Sequence, residues 1–329
     1  MIRLQNPVDI TVAMSVYGYK KNVRDTIESI LNQTFDNFEF IIIDDGCNYD
    51  LEQIVKSYND KRLLFVKNEE NLGLTRSLIK IKEIFKGKYI ARIDAGNLAC
   101  KTRLEKQFQF LEEKPDYYLI GSSVLLFDDN REELCKIIAS DNPDFIKKML
   151  PDHNMINHSS ILFRNDCELY YREKFKYSQD YDFYLNLISK GKKIGNLKEV
   201  LTWELFSKGS ITYSRQNEQK FFEKLARNFY YERLESGNDS YNNFDINNLG
   251  IDQNLVKNFE KHSKSIDSLF FEKQKIYYLL RSLRLKKARQ SIKSILKDKF
   301  NFKMFVYYIV SFFPFVIKAL NKKDKVEFE

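Results

Sequence analysis

The chain has 329 residues, 43% of them hydrophobic and 30% charged, with 27 Phe and 20 Tyr; this is enough apolar material for one sizeable core plus an appendage, and it excludes a disordered chain. Four widely spaced cysteines (Cys47, Cys100, Cys135, Cys167) form no CxxC pair, which argues against a disulfide framework or a thiolate zinc site and fits a reducing, cytoplasmic compartment. The net charge of +8 is uneven: residues 1–215 carry 32 basic and 32 acidic side chains, 216–329 carry 22 and 14, and 281–329 carry 13 and 4, so the positive excess belongs to the C-terminus.

Residues 1–7 show no charged segment followed by an apolar stretch, so no secretion signal is expected. Short β-rich runs then alternate with helical patterns, which predicts an α/β domain with a largely parallel sheet. Residues 8–14 read as a strand, 21–32 as a helix with Val23, Ile27, Ile30 and Leu31 on one face, and 38–43 as a strand ending at Asp44-Asp45-Gly46. A helix over 50–58, a strand over 63–66, a helix over 74–85 and a strand over 89–93 running into Asp94 follow. Next come a helix over 103–113, strands over 119–127 and 161–163, the latter after His158-Ser159-Ser160, and a helix over 180–190 with an acidic first turn. Open α/β sheets bind ligands outside the carboxyl ends of their strands. Ser15, Asp45 and Asp94 are therefore expected on one rim.

Beyond residue 215 the composition shifts to Lys, Asn, Phe and Tyr at helical spacing, with a polar link over 236–250. Residues 304–317 are apolar and aromatic, broken by Pro314 and flanked by Lys303, Lys318, Lys322 and Lys323. This run is shorter than the roughly 20 residues a membrane span needs, so an interfacial, membrane-associating tail is expected.

Six pieces carry a resemblance. They are Ile10-Thr11-Val12-Ala13-Met14-Ser15-Val16-Tyr17, Ser29-Ile30-Leu31-Asn32-Gln33-Thr34-Phe35, Asp44-Asp45-Gly46, Asn71-Leu72-Gly73-Leu74, Ala91-Arg92-Ile93-Asp94-Ala95-Gly96-Asn97 and Gln179-Asp180-Tyr181-Asp182. In this order and spacing the chain resembles the family 2 glycosyltransferases over roughly residues 8–215. The resemblance implies a GT-A fold: α/β, a Rossmann-like, mostly parallel sheet flanked by helices. The expected organisation is a nucleotide-sugar-binding and catalytic domain over 1–215, a helical extension over 216–300 and the tail over 301–329.

It also implies an activity, the inverting transfer of a sugar from a nucleotide-diphosphate sugar to an acceptor hydroxyl. In that reading Ser15, Asp45, Asp94 and Asn97 bind the nucleotide sugar, with Asp45 accepting from the base and Asp94 contacting the ribose. Asp94 would also support a divalent cation, Mg²⁺ or Mn²⁺, although Gly96 and Asn97 stand where the familiar motif is acidic and each lost carboxylate removes charge that a hard cation needs. Asp180 is the expected general base. His158 is placed on the acceptor or phosphate side.

Plainer roles exist for each. Asp45 before Gly46 suits a turn, Asp180 and Asp182 suit a helix start, and a lone His is often a packed residue. Arg76 and Arg92 could approach donor phosphates, but most arginines in such a chain are solvated and neither is assigned a role. A dehydrogenase would need a Gly-x-Gly-x-x-Gly turn that Met14-Ser15-Val16-Tyr17-Gly18-Tyr19 does not supply. The tail is an apolar block with basic flanks rather than a mixed basic and aromatic stripe, so no nucleic acid partner is expected. Taken with the resemblance, the tail implies a peripheral enzyme on the inner face of the cell membrane with a lipid-linked saccharide acceptor, as in O-antigen or capsule synthesis. The alternative is a catalytically degenerate, nucleotide-binding relative acting as a membrane scaffold.

Overall fold

A computed structural model describes residues 8–18, 22–166, 170–207, 215–244, 270–298, 301–324 and 327–328. Its first half is built by period-2 burial. In β1 (Ile10–Val16), Ile10, Val12, Met14 and Val16 pack on one sheet face with Val23, Ile27 and Ile30 of α1 (Val23–Leu31), while Ala13 points to the other face with Ile41 and Ile43 of β2 (Phe38–Asp44). Helices cover both faces, as a buried parallel sheet requires. α2 (Leu51–Lys56), capped by the Asp50 carboxylate on Gln53 N at 2.8 Å, leads to β3 (Leu63–Lys67), and α3 (Leu74–Ile84) leads to β4 (Tyr89–Arg92). The strand order β3-β2-β1-β4 is parallel throughout.

The remaining strands are β5 (Leu98–Ala99), β6 (Tyr117–Asp128), β7 (Glu133–Ile138), β8 (Leu162–Arg164), β9 (Lys193–Phe206) and β10 (Glu327–Phe328). β8 joins β4 and β6 antiparallel, β7 pairs antiparallel with β6 and β10, and β9 runs parallel to β6 and antiparallel to β5. The sheet is thus mixed, parallel on the side of the first four strands. α4 (Arg103–Glu113) has the bounds the periodicity predicts. β1 runs two residues further than predicted, so Ser15 lies inside the strand. β7, β9 and the short α5 (Pro143–Met149) are elements the sequence reading passed over.

α6 (Gln179–Ser189) packs against α7 (Gln216–Ser236), whose Phe222, Ala226, Phe229 and Tyr230 sit in the same apolar cluster as Phe163, Phe183 and Leu187. Residue 215 therefore does not end the catalytic core. A separate apolar cluster begins only later. In it Ile276, Leu279 and Leu280 of α8 (Phe270–Arg281), Ala288, Ile292 and Ile295 of α9 (Leu285–Asp298), Met304 of α10 (Phe302–Val310) and Ile317 of α11 (Pro314–Asp324) pack on Val124, Leu126, Leu134 and Phe206. Much of the polar link expected over 236–250, residues 245–250, lies outside the described residues.

Candidate active site

The carboxyl edge of the parallel strands forms the floor of the site. The register sets Val16 beside Asp44, Ser15 beside Ile43 and Ala13 beside Arg92, and Ile93 N donates to Ala13 O at 3.3 Å. Ser15, Asp45 and Asp94 accordingly share one rim. Ser15 is half-buried. Asp45 is 1% exposed, and its carboxylate accepts from Asn68 Nδ2 at 2.8 Å, Leu72 N at 2.8 Å and Gly73 N at 2.9 Å. Three of about four lone-pair sites are thus spent holding the Asn71–Gly73 loop against the rim.

The loop after β4 is pinned from several sides. Asp94 N donates to Ser159 Oγ at 2.9 Å, and Gly96 N donates to Thr26 Oγ1 at 2.9 Å. Asn97 is buried, its amide donating to Ser159 Oγ at 2.8 Å and its carbonyl accepting from Leu205 N at 2.8 Å. The resemblance gave Asn97 to the nucleotide sugar; here each end of its buried side chain already has a partner inside the protein. Gly96 has φ +103°, and a Cβ there would sit 3.1 Å from Leu205 Cδ2. The turn geometry therefore disfavours any L side chain where the familiar motif is acidic.

Asp94 keeps 45% of its side chain exposed, and its Oδ1 accepts from Arg92 Nη2 at 2.5 Å. The Arg92 guanidinium is fully buried and also donates from Nη1 to Ala13 O at 2.6 Å, so it braces Asp94 instead of reaching outward to phosphate. Arg76 pairs at the surface with Glu173 at 3.0 Å.

Opposite the rim, Ser178 adopts a left-handed conformation (φ 53°) and starts α6, which places Asp180 in the first turn. Asp180 Oδ2 accepts from Asn154 Nδ2 at 3.2 Å. Burial pushes this carboxyl up to about 6; backbone N–H groups at the helix start and the Asn154 amide pull the other way, and the Asp94 charge adds to the rise. The two carboxylates, 86 positions apart in sequence, are thus close enough for the charge of one to act on the other. Asp182 serves a different purpose. It is fully buried and held by Arg172, with Nε to Oδ2 at 2.7 Å and a second bond from Nη2.

His158 Nε2 is 2.7 Å from Tyr171 Oη, and burial with the nearby Arg92 charge pushes the imidazole down to about 3. It is neutral at physiological pH and brings no positive charge to a phosphate. Two residues were missed from sequence. Glu204 on β9 takes a hydrogen bond from Asn157 Nδ2 and is pushed up to about 7, first by burial and further by the Asp94 charge. Ser159 staples the Asp94–Asn97 turn. Neither carries a local signal, because their roles arise from β9 and the turn at His158–Ser160 meeting that loop.

The residues present do not by themselves build a cation site. Among the described residues no three His, Cys, Asp or Glu side chains converge to hold a metal, Gly96 offers no side-chain ligand, the buried Asn97 carbonyl already accepts from Leu205 N, and Asp94 is neutralised in part by Arg92. A hard divalent ion favours several anionic oxygens, and among the described residues Asp94 is the one carboxylate in the turn that the motif occupies.

A base must be ionised to take a proton, so kcat is expected to fall about tenfold per pH unit below a midpoint near 6. Glu204→Gln should leave that limb in place. A midpoint near 4, or a limb that disappears with Glu204, would remove Asp180 from the role.

The family described as glycosyl transferase family 2 matches residues 11–174. An uncharacterized glycosyltransferase of Methanocaldococcus jannaschii is 37% identical over 221 residues, covering 65% of this chain and 76% of that protein. The UDP-Glc:alpha-D-GlcNAc-diphosphoundecaprenol beta-1,3-glucosyltransferase WfaP of Escherichia coli is 26% identical over 212 residues, covering 64% and 82%. Among solved structures, S. aureus TarS 1-349 in complex with UDP superposes with a TM-score of 0.52 at 15% identity, covering 86% of this chain and 88% of that one, a likeness of fold. With the ordered motifs on one rim of a GT-A sheet and a relative of this identity matched over most of its length, the chain belongs to glycosyl transferase family 2.

Proposed function

We propose that the protein transfers a sugar, with inversion, from a nucleoside-diphosphate sugar to a hydroxyl of a lipid-linked saccharide in surface polysaccharide synthesis. One observation carries the reading: Asp180, in the first turn of α6, has its carboxyl raised to about 6 by burial, and the charge of Asp94 at the carboxyl edge of the sheet adds to the rise. The donor lies along Ser15, Asp45 and Asp94. The acceptor hydroxyl attacks the anomeric carbon from the Asp180 side, Asp180 takes its proton, and the bond to the diphosphate breaks with its electron pair leaving on the nucleotide. Attack opposite the leaving group inverts the configuration. A diphosphoundecaprenol-linked acceptor in the name of the WfaP relative supports the lipid-linked class. The retained Asp180, raised by burial, favours turnover over a degenerate scaffold.

Calorimetry with UDP, GDP and dTDP, each with and without Mn²⁺, tests the donor half. One nucleotide is expected to bind selectively, with Mn²⁺ tightening it less than about tenfold because the turn after β4 contributes a single, arginine-paired carboxylate. Strengthening of a hundredfold or more would show that the protein builds the cation site after all; no nucleotide binding in any condition would overturn the reading.

A further inference from the structure

The apolar tail turns its hydrophobic stripe outward. On α10, Phe302, Phe305, Val306 and Ile309 fall at i, i+3, i+4 and i+7, the spacing that normally faces a core. Here Met304 is the buried residue, and the stripe is exposed, Phe302 at 72% and Phe305 at 42%. Phe312, Phe313 and Phe315 (68%) continue the patch across the break into α11. An exposed apolar surface this continuous marks an interaction site.

The two tail helices reach the length and apolarity of a span only when taken together, and they are sharply bent at their junction. No single helix among the described residues is long and apolar enough to cross a bilayer, and α10 bends by 103° into α11. The surroundings are basic. Between residues 285 and 321 there are eight Lys or Arg and one acid, Asp298. α9 buries Ala288, Ile292 and Ile295 and leaves Lys286, Lys287, Lys293 and Lys297 exposed, while Lys303 and Lys318 are exposed beside the stripe. Arg289 lies 4.6 Å over the Phe312 ring, which places a cation at the edge of the apolar patch.

We propose that the α10–α11 corner lies in the plane of an anionic bilayer surface, its phenylalanines inserted at the headgroup boundary and its lysines on the lipid phosphates. The partner is a lipid surface because the charge and the apolar stripe occur together; a protein partner would not need a basic rim around an apolar face rich in phenylalanine.

The corner packs, through Met304 and Ile317, in the same apolar cluster as α8, and α8 is tied to the sheet. Ser282 Oγ donates to Leu134 O at 3.0 Å, Lys275 pairs with Asp128 at 2.7 Å, and Phe206 stacks on Phe271 at 4.3 Å between centroids. Phe206 is two residues beyond Glu204 on β9. The inserted corner therefore holds the sheet in a set orientation to the membrane, whatever sugar is transferred.

Flotation of the full chain with vesicles tests this, phosphatidylglycerol with phosphatidylcholine against phosphatidylcholine alone. The protein is expected to float with the anionic vesicles at least tenfold more than with the neutral ones. Phe302→Ser with Phe305→Ser and Phe315→Ser should lose that binding tenfold or more with melting temperature unchanged, since these side chains are already exposed. Lys293→Glu with Lys303→Glu and Lys318→Glu should lose the salt-sensitive part. Equal flotation of wild type and the serine variant would overturn the proposal, as would a stable dimer in sedimentation that the serine variant abolishes while lipid binding stays absent. Because nucleotide binding is measured separately, failure here leaves the transferase reading standing.

Discussion

Asp180→Asn is expected to lower kcat by about 10²- to 10⁴-fold, the usual contribution of a positioned general base, while nucleotide affinity and melting temperature stay at wild-type values. The amide is nearly isosteric and still accepts from Asn154, so the 3.2 Å contact survives. Only the capacity to take a proton goes. Burial opposes the charged form of this carboxyl, so the neutral replacement brings no folding penalty and a lost rate cannot be blamed on unfolding. Glu204→Gln is the matched control, since Glu204 also feels the Asp94 charge and is also raised by burial. An Asp180→Asn enzyme that keeps more than about a tenth of the rate would end the assignment. A Glu204→Gln enzyme that loses as much would transfer it.

Arg172→Ala is expected to destabilise the fold by about 3–5 kcal/mol, because breaking a buried pair strands its partner. Arg172 joins the fully buried Asp182 of α6 to Asp239 at 2.7 Å, and Asp239 is bound in turn by Arg233 of α7. The guanidinium also lies over three rings, 4.3 Å from Tyr241, 5.0 Å from Phe229 and 5.3 Å from Phe175. Its removal takes away packing as well as charge. Burial already raises the Asp182 carboxyl, so the stranded acid takes up a proton and the cost falls in the lower half of that range. A melting temperature lower by roughly 6–16 °C is the expected reading for a domain of this size. Arg172→Lys should not rescue it, since one ammonium does not reproduce the forked contact to Asp182. An unchanged melting temperature would show that the network contributes specificity alone.

Asp182 illustrates how much of the site was legible. Its sequence position suggested a helix-dipole carboxylate, and only the approach of Arg172 and α7 makes it the anchor that fixes Asp180 two residues earlier. Asn97 shows the same in reverse. Beside Asp94 it read as a ligand, yet Leu205 N and Ser159 claim both ends of its amide. α7 read as the start of an appendage, but Phe222 and Phe229 complete the first core.

The amino-acid sequence by itself determined β1 to β4, α1, α3 and α4, the order of the motifs, the rim shared by Ser15, Asp45 and Asp94, and the apolar tail with its basic flanks. Those features rest on side-chain periodicity and strand-end residues, which are local. Tertiary structure alone decided which polar groups remain available to a ligand, that Glu204 feels the Asp94 charge, that Asp180 is raised, and that the stripe from Phe302 to Ile309 faces outward. The physical reason is that hydrogen-bond saturation and desolvation are set by whatever packs against a group. β9 lies beside β6 from Tyr117 and Lys193 onward, and no window of sequence contains both.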